Sequence, residues 1–223
     1  MNVLRRLRRL TAGRDAGFTL TELMVTMVLL SLVMSMSLLA VRSLNKQILN
    51  TNTRVDSTNI ASVGMNNISK AVRAASEIQV NNGANLPAFV SIGSEAVTFY
   101  SNLGAGPVRV AYSINANREL VESRTLGVYV ATPAAGNPYW TFAGATSNRL
   151  VARKIPAGLA TPIFTYYDGA DATVPVPSTS AAVLSTVETV KITLTVQALS
   201  TTKAAPVTLV NRIALPNLGI AKR

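Results

Sequence analysis

The sequence predicts an α+β protein in which one long N-terminal helix packs on an antiparallel β-sheet head. Three observations predict this fold class. Residues 23–41 form an uncharged, almost entirely apolar run of 19 residues, which suits a long helix. Apolar and small residues then recur at helical spacing to about residue 76. After residue 95 the apolar pattern changes to a period of two, which is typical of β-strands.

The composition narrows the function classes before any motif is considered. The chain has 223 residues, a formal net charge of +11, a mean hydropathy of +0.31, and neither Cys nor His. The lack of Cys excludes disulfides, Cys-ligated zinc and cysteine nucleophiles, and the lack of His excludes Ser-His-Asp triads and His-ligated metals. Because only ten carboxylates remain for acid–base chemistry, we expect neither an enzyme nor a bound metal or cofactor.

The N-terminal segment combines a basic flank with the apolar run. Residues 1–17 carry a local charge of +4, because one aspartate opposes five arginines: Arg5, Arg6, Arg8, Arg9 and Arg14. A helix over residues 23–41 would extend about 28 Å, close to the ~30 Å hydrocarbon core of a bilayer. The positive-inside rule places the arginine-rich end in the cytoplasm, so the rest of the chain is predicted to be exported.

Three interpretations of this segment are open on its hydropathy alone. A cleaved secretory signal needs an A-x-A-like site, and the best match, at residues 38–40, has a bulky Leu38 where a small residue is required. An uncleaved signal anchor is the second interpretation. The third depends on Glu22, because an acidic side chain at mid-bilayer costs roughly 2.5–3.5 kcal/mol and therefore marks a function. Against this, Glu22 begins the run, from where its side chain can reach interfacial water.

The residues around Glu22 form a motif. Residues 17–25 read Gly-Phe-Thr-Leu-Thr-Glu-Leu-Met-Val, after a basic leader and before an apolar helix. This order resembles the prepilin-type cleavage and methylation motif of type IV pilins and type II secretion pseudopilins. The resemblance implies that a membrane-embedded prepilin peptidase cuts between Gly17 and Phe18 on the cytoplasmic side. It also implies that the new Phe18 amine is N-methylated and that the apolar helix stays attached to the head.

A physical role for Glu22 follows if subunits leave the bilayer and stack their apolar helices. The carboxylate would then be buried, which is costly unless it is paired. The Phe18 amine of an adjacent subunit is the natural partner, and the pair would fix the axial register, as a buried polar group does in coiled coils. The expected partners are prepilin peptidase, other pilin subunits contacted through the N-terminal helix, the inner-membrane assembly platform and, before assembly, the lipid bilayer.

These patterns divide the chain into four predicted segments. They are a basic leader (1–17), a transmembrane and assembly helix (18–41), an amphipathic helix half (42–78) and a β-rich head (79–223). The helix as a whole is predicted from about residue 18 to about residue 76. Its amphipathic half is expected to bury one stripe of side chains: Leu44, Ile48, Val55, Thr58, Ala61, Met65, Ile68, Val72 and Ala75.

The head is predicted to consist of strands joined by turns and loops. Period-two alternation predicts strands at 96–100, 108–114, 119–123, 163–167, 187–199 and 207–215. Residues 115–117 suit a hairpin turn, and residues 200–203 would join the last two strands. Two Pro-, Gly- and Ala-rich stretches, 132–148 and 168–186, are expected to be long surface loops.

Looser similarities in the head point to a subclass. Residues 72–78, the sequence Phe-Thr-Tyr-Tyr-Asp-Gly at 164–169 and closing strands that end near Asn211 and Arg212 are similar to PilW-like or GspJ-like minor pilins and pseudopilins. Many major pilins have a helix-bending Pro at the twenty-second mature position, where this chain has Leu39. The resemblance therefore favours a minor pilin or pseudopilin over a major pilin.

Three further features of the head suggest chemistry only weakly. Asp168 and Asp171 supply two carboxylates, whereas calcium takes six to eight oxygens, so a turn is the simpler interpretation. Glu119 and Glu122 are three apart in a predicted strand and fall on opposite faces. Loop aromatics and scattered cations fit a folded head surface as well as a contact patch or DNA phosphates: Tyr139, Trp140, Arg149, Arg153 and Lys154.

The leading hypothesis is a structural subunit, a minor pilin or pseudopilin of a type IV pilus-like or type II secretion-like filament. It would sit in the inner membrane as a single-pass protein, with its N-terminus inside, and reach a pilus or the cell surface after assembly. One alternative is an exposed adhesin or DNA-uptake head, and another is a signal-anchored exported domain of unrelated function. Removal of the leader would lower the formal charge from +11 to +7, which permits DNA contact without requiring it.

Overall fold

The computed structural model describes residues 17–104, 106–158, 161–197 and 205–218. These residues form two helices and ten strands. In chain order they are α1 (Leu20–Arg73), β1 (Phe89–Ile92), β2 (Ala96–Asn102), β3 (Pro107–Ile114), β4 (Leu120–Leu126), β5 (Val128–Tyr129), β6 (Trp140–Thr141), β7 (Thr146–Ala152), β8 (Phe164–Tyr167), α2 (Ala181–Leu184), β9 (Thr189–Val196) and β10 (Val207–Ala214). The predicted α+β class, with a long N-terminal helix before an antiparallel head, is confirmed.

Helix α1 contains 54 residues and crosses the boundary between two compact units of the chain, Met1–Leu49 and Asn50–Arg223. In the first unit, the helical residues before Leu49 are exposed. The helix ends at Arg73 because the backbone that follows pairs with β2. The Ser76 N–H donates to the Tyr100 carbonyl (3.0 Å), and the Asn102 N–H donates to the Ala74 carbonyl (2.8 Å).

The larger sheet of the second unit has five antiparallel strands in the order β1-β2-β3-β4-β7. The predicted strands at 96–100, 108–114 and 119–123 correspond to β2, β3 and β4. The turn between β3 and β4 is the predicted one. Its Asn115 side-chain oxygen accepts hydrogen bonds from the backbone N–H groups of Asn117 (3.0 Å) and Glu119 (2.9 Å), the self-capping that makes Asn favourable in turns.

A second sheet has three antiparallel strands in the order β10-β9-β8, and β5 and β6 form a two-stranded ribbon. The predicted closing hairpin is confirmed, since β10 pairs with β9 from Val207↔Val196 to Ala214↔Thr189. Its predicted connection at 200–203 lies outside the described residues. The alternation along β9 is confirmed on its apolar side, where Val190, Ile192, Leu194 and Val196 are buried; Thr193 and Thr195, on the other side, are buried as well.

The buried face of α1 differs from the predicted stripe in its first turns. From Ala61 onward the prediction is confirmed, since Ala61, Met65, Ile68, Val72 and the adjoining Ala75 are buried in the core with both sheets. Before Ala61 the prediction is wrong. The buried positions there are Thr53 and Ser57, whereas the apolar residues expected to be buried are exposed: Leu44, Ile48 and Val55. Small hydroxyl side chains occupy the buried face of α1 before Ala61. Hydropathy therefore predicted the wrong face of the helix there.

Two predicted surface loops contain more structure than expected. Residues 132–148 include β6 and the start of β7, and Tyr139 is 9 % exposed. Residues 168–186 include α2 and the buried side chains of Val174 and Leu184. Their Pro and Gly content predicted loops, whereas the short strands and the short helix there depend on contacts with the rest of the head. Strand β1 was also not predicted.

Gly64 allows α1 to approach the sheets closely. A Cβ atom added there would lie 3.1 Å from Leu194 Cδ2, 3.3 Å from Ala152 Cβ and 3.3 Å from the Val151 carbonyl oxygen. Two of these contacts belong to β7 and one to β9, so the helix packs against both sheets at this position. The sequence suggested only a weak point in the helix, but the glycine is required by the packing distance.

We expect Gly64→Val to destabilise the head by about 1–3 kcal/mol, the usual cost of overpacking a core. Thermal unfolding of the full chain in detergent, followed by circular dichroism, should show a fall in Tm of several degrees, at roughly 2–4 °C per kcal/mol. Asn59→Val is the control, because it adds the same side chain at an exposed position of the same helix. Equal Tm shifts for the two variants would contradict the packing explanation.

Candidate functional site at the start of the helix

Thr19 caps the N-terminus of α1. The Glu22 backbone N–H donates to Thr19 Oγ1 (3.2 Å), and the Leu23 N–H donates to the Thr19 carbonyl (3.1 Å). These bonds satisfy donors that a helix end leaves without intrahelical partners. The Thr-x-x-Glu spacing of Thr19 and Glu22 is the sequence signature of a capping box, which was the available signal for Thr19. Thr19 was not among the predicted site residues.

Glu22 is the third residue of the helix and is exposed. A carboxylate in the first turn interacts favourably with the positive end of the helix dipole. Within the described part of the chain, the Glu22 carboxylate forms no ion pair. Glu22 therefore supports the start of its own helix through its backbone N–H and leaves its charge available for a group outside the described residues.

The hydroxyl groups of the apolar segment are satisfied within the helix. Thr26 donates to the Leu23 carbonyl and Ser31 to the Val28 carbonyl, each at 2.8 Å. Ser35 donates to the Leu32 carbonyl (2.8 Å) and Ser37 to the Val33 carbonyl (2.9 Å). Such bonds to the preceding turn remove the cost of exposing a hydroxyl to hydrocarbon. The four polar residues are thus compatible with either lipid or the apolar side of another helix.

Within the described part of the chain, the apolar side chains of this segment are not covered by other residues. A window of α1 reaches a mean hydropathy of 2.3 and none of it is buried, so by length and composition the helix can cross a membrane. Large residues around the whole circumference are about half exposed or more, such as Leu23, Met27, Leu30 and Val33. A helix that is apolar all round is stable in lipid or among other apolar helices.

The structure describes three of the residues predicted for processing and assembly. Gly17 is exposed with no atom within 4 Å of an added Cβ, Phe18 is 76 % exposed, and Glu22 follows one turn later. The Gly17–Phe18 bond precedes the helix, and no residue that the structure describes crowds it. The predicted orientation residues lie outside the described part of the chain: Arg5, Arg6, Arg8, Arg9 and Arg14.

The acidic loop of the head is occupied by the protein's own donors. Asp168 Oδ1 accepts from the backbone N–H groups of Ala170 (3.0 Å) and Ala172 (2.8 Å), which makes a turn. Asp171 forms an ion pair with Arg212, whose guanidinium lies 4.4 Å from the centre of the Tyr167 ring. These contacts agree with the interpretation of this loop as a turn.

Glu119, in the turn before β4, and Glu122, within β4, are separate, as predicted, but Glu122 is a buried charge that the sequence did not reveal. Glu119 accepts from the Asn115 side chain (2.9 Å) in the turn. Glu122 is fully buried and accepts from Tyr112 Oη (2.7 Å) and Arg149 Nε (2.8 Å). Arg124 Nη2 also lies 2.8 Å from it. Arg149 is therefore the partner of a buried carboxylate.

The loop aromatics fold back on the head. The Trp140 ring packs against Gly106, so closely that a Cβ atom added to this glycine would lie 2.8 Å from the ring. The centres of the Trp140 and Tyr129 rings are 5.2 Å apart. Tyr139 is buried beside Trp140. The glycine at position 106 therefore gives the indole room, and both predicted aromatics contribute to packing.

Comparison with known proteins identifies the N-terminal segment. Residues 13–38 match the family model described as the prokaryotic N-terminal methylation motif, which is the type IV pilin and pseudopilin signature. No curated protein matches the chain in a comparison of sequences. The matched motif supports a pilin-like or pseudopilin substrate of prepilin peptidase that assembles with other pilins, a structural rather than catalytic class. Together with the exposed apolar helix, it fits a membrane-anchored protein.

Proposed function

We propose that this chain, which carries the type IV pilin signature at its N-terminus, is a minor pilin or pseudopilin subunit of a pilus-like or secretion filament. One observation carries the proposal: the methylation motif at residues 13–38 runs directly into an apolar helix that no other described residue covers. A structural subunit needs both parts, because the motif allows processing and the exposed helix provides the surface that other subunits cover. The head at the far end of the sequence would face outward from the filament.

Processing begins with hydrolysis of the Gly17–Phe18 peptide bond. Water adds to the Gly17 carbonyl, the C–N bond breaks, and Phe18 becomes the N-terminus with a basic amine, which then receives a methyl group from a methyl donor. The site suits this reaction because Gly17 presents no side chain and none of the described residues crowds it. Cleavage removes the leader with its five arginines, which orient the precursor with its N-terminus in the cytoplasm.

Assembly transfers the apolar helix from lipid to a bundle of similar helices. Lipid and apolar side chains solvate the helix almost equally well, so packing and polar contacts decide the outcome. The Glu22 carboxylate has no ion-pair partner among the described residues, and the Phe18 amine of a neighbouring subunit would supply one. The pair removes the cost of burying either charge alone and selects one axial register. The inner-membrane assembly platform would hold the subunits during this transfer.

Mass spectrometry of the membrane-extracted protein tests the proposal. The expected mature chain begins at Phe18 and carries one N-terminal methyl group when prepilin peptidase is present. We expect Gly17→Leu to abolish cleavage, because the scissile glycine is then replaced by a bulky residue. Gly13→Leu is the matched control within the leader and should be processed normally.

Two results would contradict the proposed function. A chain that retains Met1 in the presence of an active prepilin peptidase would indicate a plain signal anchor. A chain that begins after Ala40 would indicate an ordinary secretory signal and would remove the assembly helix.

A further inference from the structure

A polar cleft lies beside the last turns of α1, where β10 and the residues after it pass the helix. Its volume is about 420 Å³, and its polar lining consists of Asn66, Ser69, Lys70, Arg73, Asn211 and Asn217. The four helical members are spaced three, one and three residues apart, so they share one face of α1. The cleft is within the range of sites for small molecules, near the lower end.

Among the described residues, the lining of the cleft carries two positive charges and no carboxylate. Lys70 and Arg73 are three residues apart on the helix, so they are neighbours, and like charges at this spacing disfavour each other. Neither forms an ion pair within the described residues. Both lie in the last turn of α1, where a cation interacts favourably with the negative end of the helix dipole. The dipole accounts for cations at the end of the helix, but it does not account for the amide and hydroxyl groups gathered around them.

The hydroxyl of Ser69 is a preorganised donor at the floor of the cleft. Ser69 is only 7 % exposed, and its oxygen accepts from the Asn211 side-chain amide (2.9 Å). Because that bond uses the oxygen as an acceptor, the hydroxyl proton is left to donate. Among the described residues the Ser69 hydroxyl donates no hydrogen bond.

The amide oxygens of the cleft add acceptors beside the cations. The Asn217 amide donates to the Arg73 carbonyl (3.3 Å), as the Asn211 amide donates to Ser69. Both amides therefore have their nitrogen engaged, and among the described residues their oxygens accept no hydrogen bond. A ligand that matches this lining must have negative charge for Lys70 and Arg73 and also donor groups for the amide oxygens.

We propose that this cleft binds a saccharide that carries a carboxylate, of the size of one or two uronic acid rings. The carboxylate lies between Lys70 and Arg73, and ring hydroxyls, which both donate and accept, pair with Ser69, Asn211 and Asn217. Inorganic phosphate satisfies the cations but offers few protons to the amide oxygens, whereas each hydroxyl of a sugar ring can both donate and accept. None of the described residues that line the cleft is aromatic, so this lining lacks the stacking platform on which single-stranded nucleic acid binds.

Isothermal titration of the full chain in detergent micelles with glucuronate and with digalacturonate tests the proposal. We expect both to bind, and we expect Lys70→Gln and Arg73→Gln each to weaken binding by about tenfold, since each removes a charge-assisted hydrogen bond. Ser69→Ala should weaken binding without changing the charge. Arg54→Gln is the matched control, because it removes an exposed cation from the same helix outside the cleft.

Competing probes decide between the ligand classes. Glucose that binds as tightly as glucuronate would overturn the role assigned to the cations. Inorganic phosphate or N-acetylglutamate that binds as tightly as glucuronate would overturn the saccharide assignment. Equal weakening by Arg54→Gln, or no binding of either uronate at its highest soluble concentration, would overturn the site itself. None of these outcomes bears on cleavage at Gly17, so failure here is distinguishable from failure of the proposed function.

Discussion

Replacing Glu22 with alanine is expected to leave cleavage at Gly17 intact and to lower incorporation into filaments by about a hundredfold or more. Breaking a buried ion pair by removing one partner costs roughly 3–5 kcal/mol, because the other charge stays buried and unpaired. In the assembled filament that charge would be the Phe18 amine of the neighbouring subunit. The measurement is the ratio of sheared filament to membrane-retained protein, by immunoblot, in cells that contain the assembly machinery.

Two further variants separate charge pairing from helix capping. Glu22→Gln keeps a polar side chain at the third helical position but removes the charge, so it should assemble almost as poorly as Glu22→Ala. Thr19→Ala removes the side-chain cap seen at 3.2 Å from the Glu22 N–H. It should cost only about 1 kcal/mol of helix stability and therefore have a much smaller effect on assembly.

The reverse ranking would contradict the register hypothesis. If Glu22→Gln assembles at the wild-type level while Thr19→Ala does not, the segment needs a stable helix start rather than a charge pair. Cleavage must be measured in the same samples, because an uncleaved precursor has no free Phe18 amine and fails to assemble for a different reason.

Replacing Glu122 with glutamine is expected to destabilise the head by about 2–3 kcal/mol, somewhat below the range for a fully buried pair. Glu122 is fully buried in β4, between its cross-strand neighbours Tyr112 on β3 and Arg149 on β7. Its carboxylate neutralises one of two arginines and accepts from the Tyr112 hydroxyl at 2.7 Å. The expected loss of stability is below that range because Arg149 and Arg124 reach solvent, with 48 % and 35 % of their side chains exposed.

Tyr112 and the two arginines place different demands on the Glu122 side chain. Burial, followed by the adjacent Glu122 charge and its hydrogen bond, raises the pKa of Tyr112 well above its usual value. The phenol therefore stays protonated across the physiological range and donates to Glu122. A glutamine oxygen can accept the same bond, but it leaves Arg149 and Arg124 without an opposing charge.

Urea unfolding of the full chain in detergent, followed by tryptophan fluorescence, measures this effect. Trp140 is the only tryptophan and packs on the head. Glu119→Gln is the control, because Glu119 lies in the same hairpin but pairs only with the Asn115 amide, and it should change stability by less than about 0.5 kcal/mol. A similar loss for both variants would mean that the cluster of Glu122, Tyr112 and Arg149 contributes no more than an ordinary surface contact.

Local periodicity explains which elements of the head could be predicted. Strands β2, β3, β4, β9 and β10 alternate because each has one face toward the core, so their pattern is visible in the chain. Strand β7 was not predicted. Five of its seven residues, from Thr146, are exposed on both faces at the edge of the sheet. Its strand conformation depends on hydrogen bonds to β4, which local sequence does not encode.

The candidate site could be predicted from the sequence only where a local motif contains its residues. Gly17, Phe18 and Glu22 stand out because an uninterrupted local motif contains them. Thr19 was not predicted, although its Thr-x-x-Glu spacing to Glu22 is a capping signature that the sequence contains. The cleft at Ser69 and Asn211 could not be predicted at all, because these residues are 142 apart in the chain and meet only through packing.

The sequence by itself determined the order of a basic leader, an apolar helix and a β-rich head, because each depends on near neighbours in the chain. Tertiary structure alone decided which residues of that helix are buried before Ala61. Thr53 and Ser57 are buried because they lie on the same face of the helix as Gly64, which packs against Leu194 and Ala152. Val55 lies on another face and is exposed. Tertiary structure also decided that Glu122 is a buried charge, since a carboxylate can leave water only where distant strands bring donors to it.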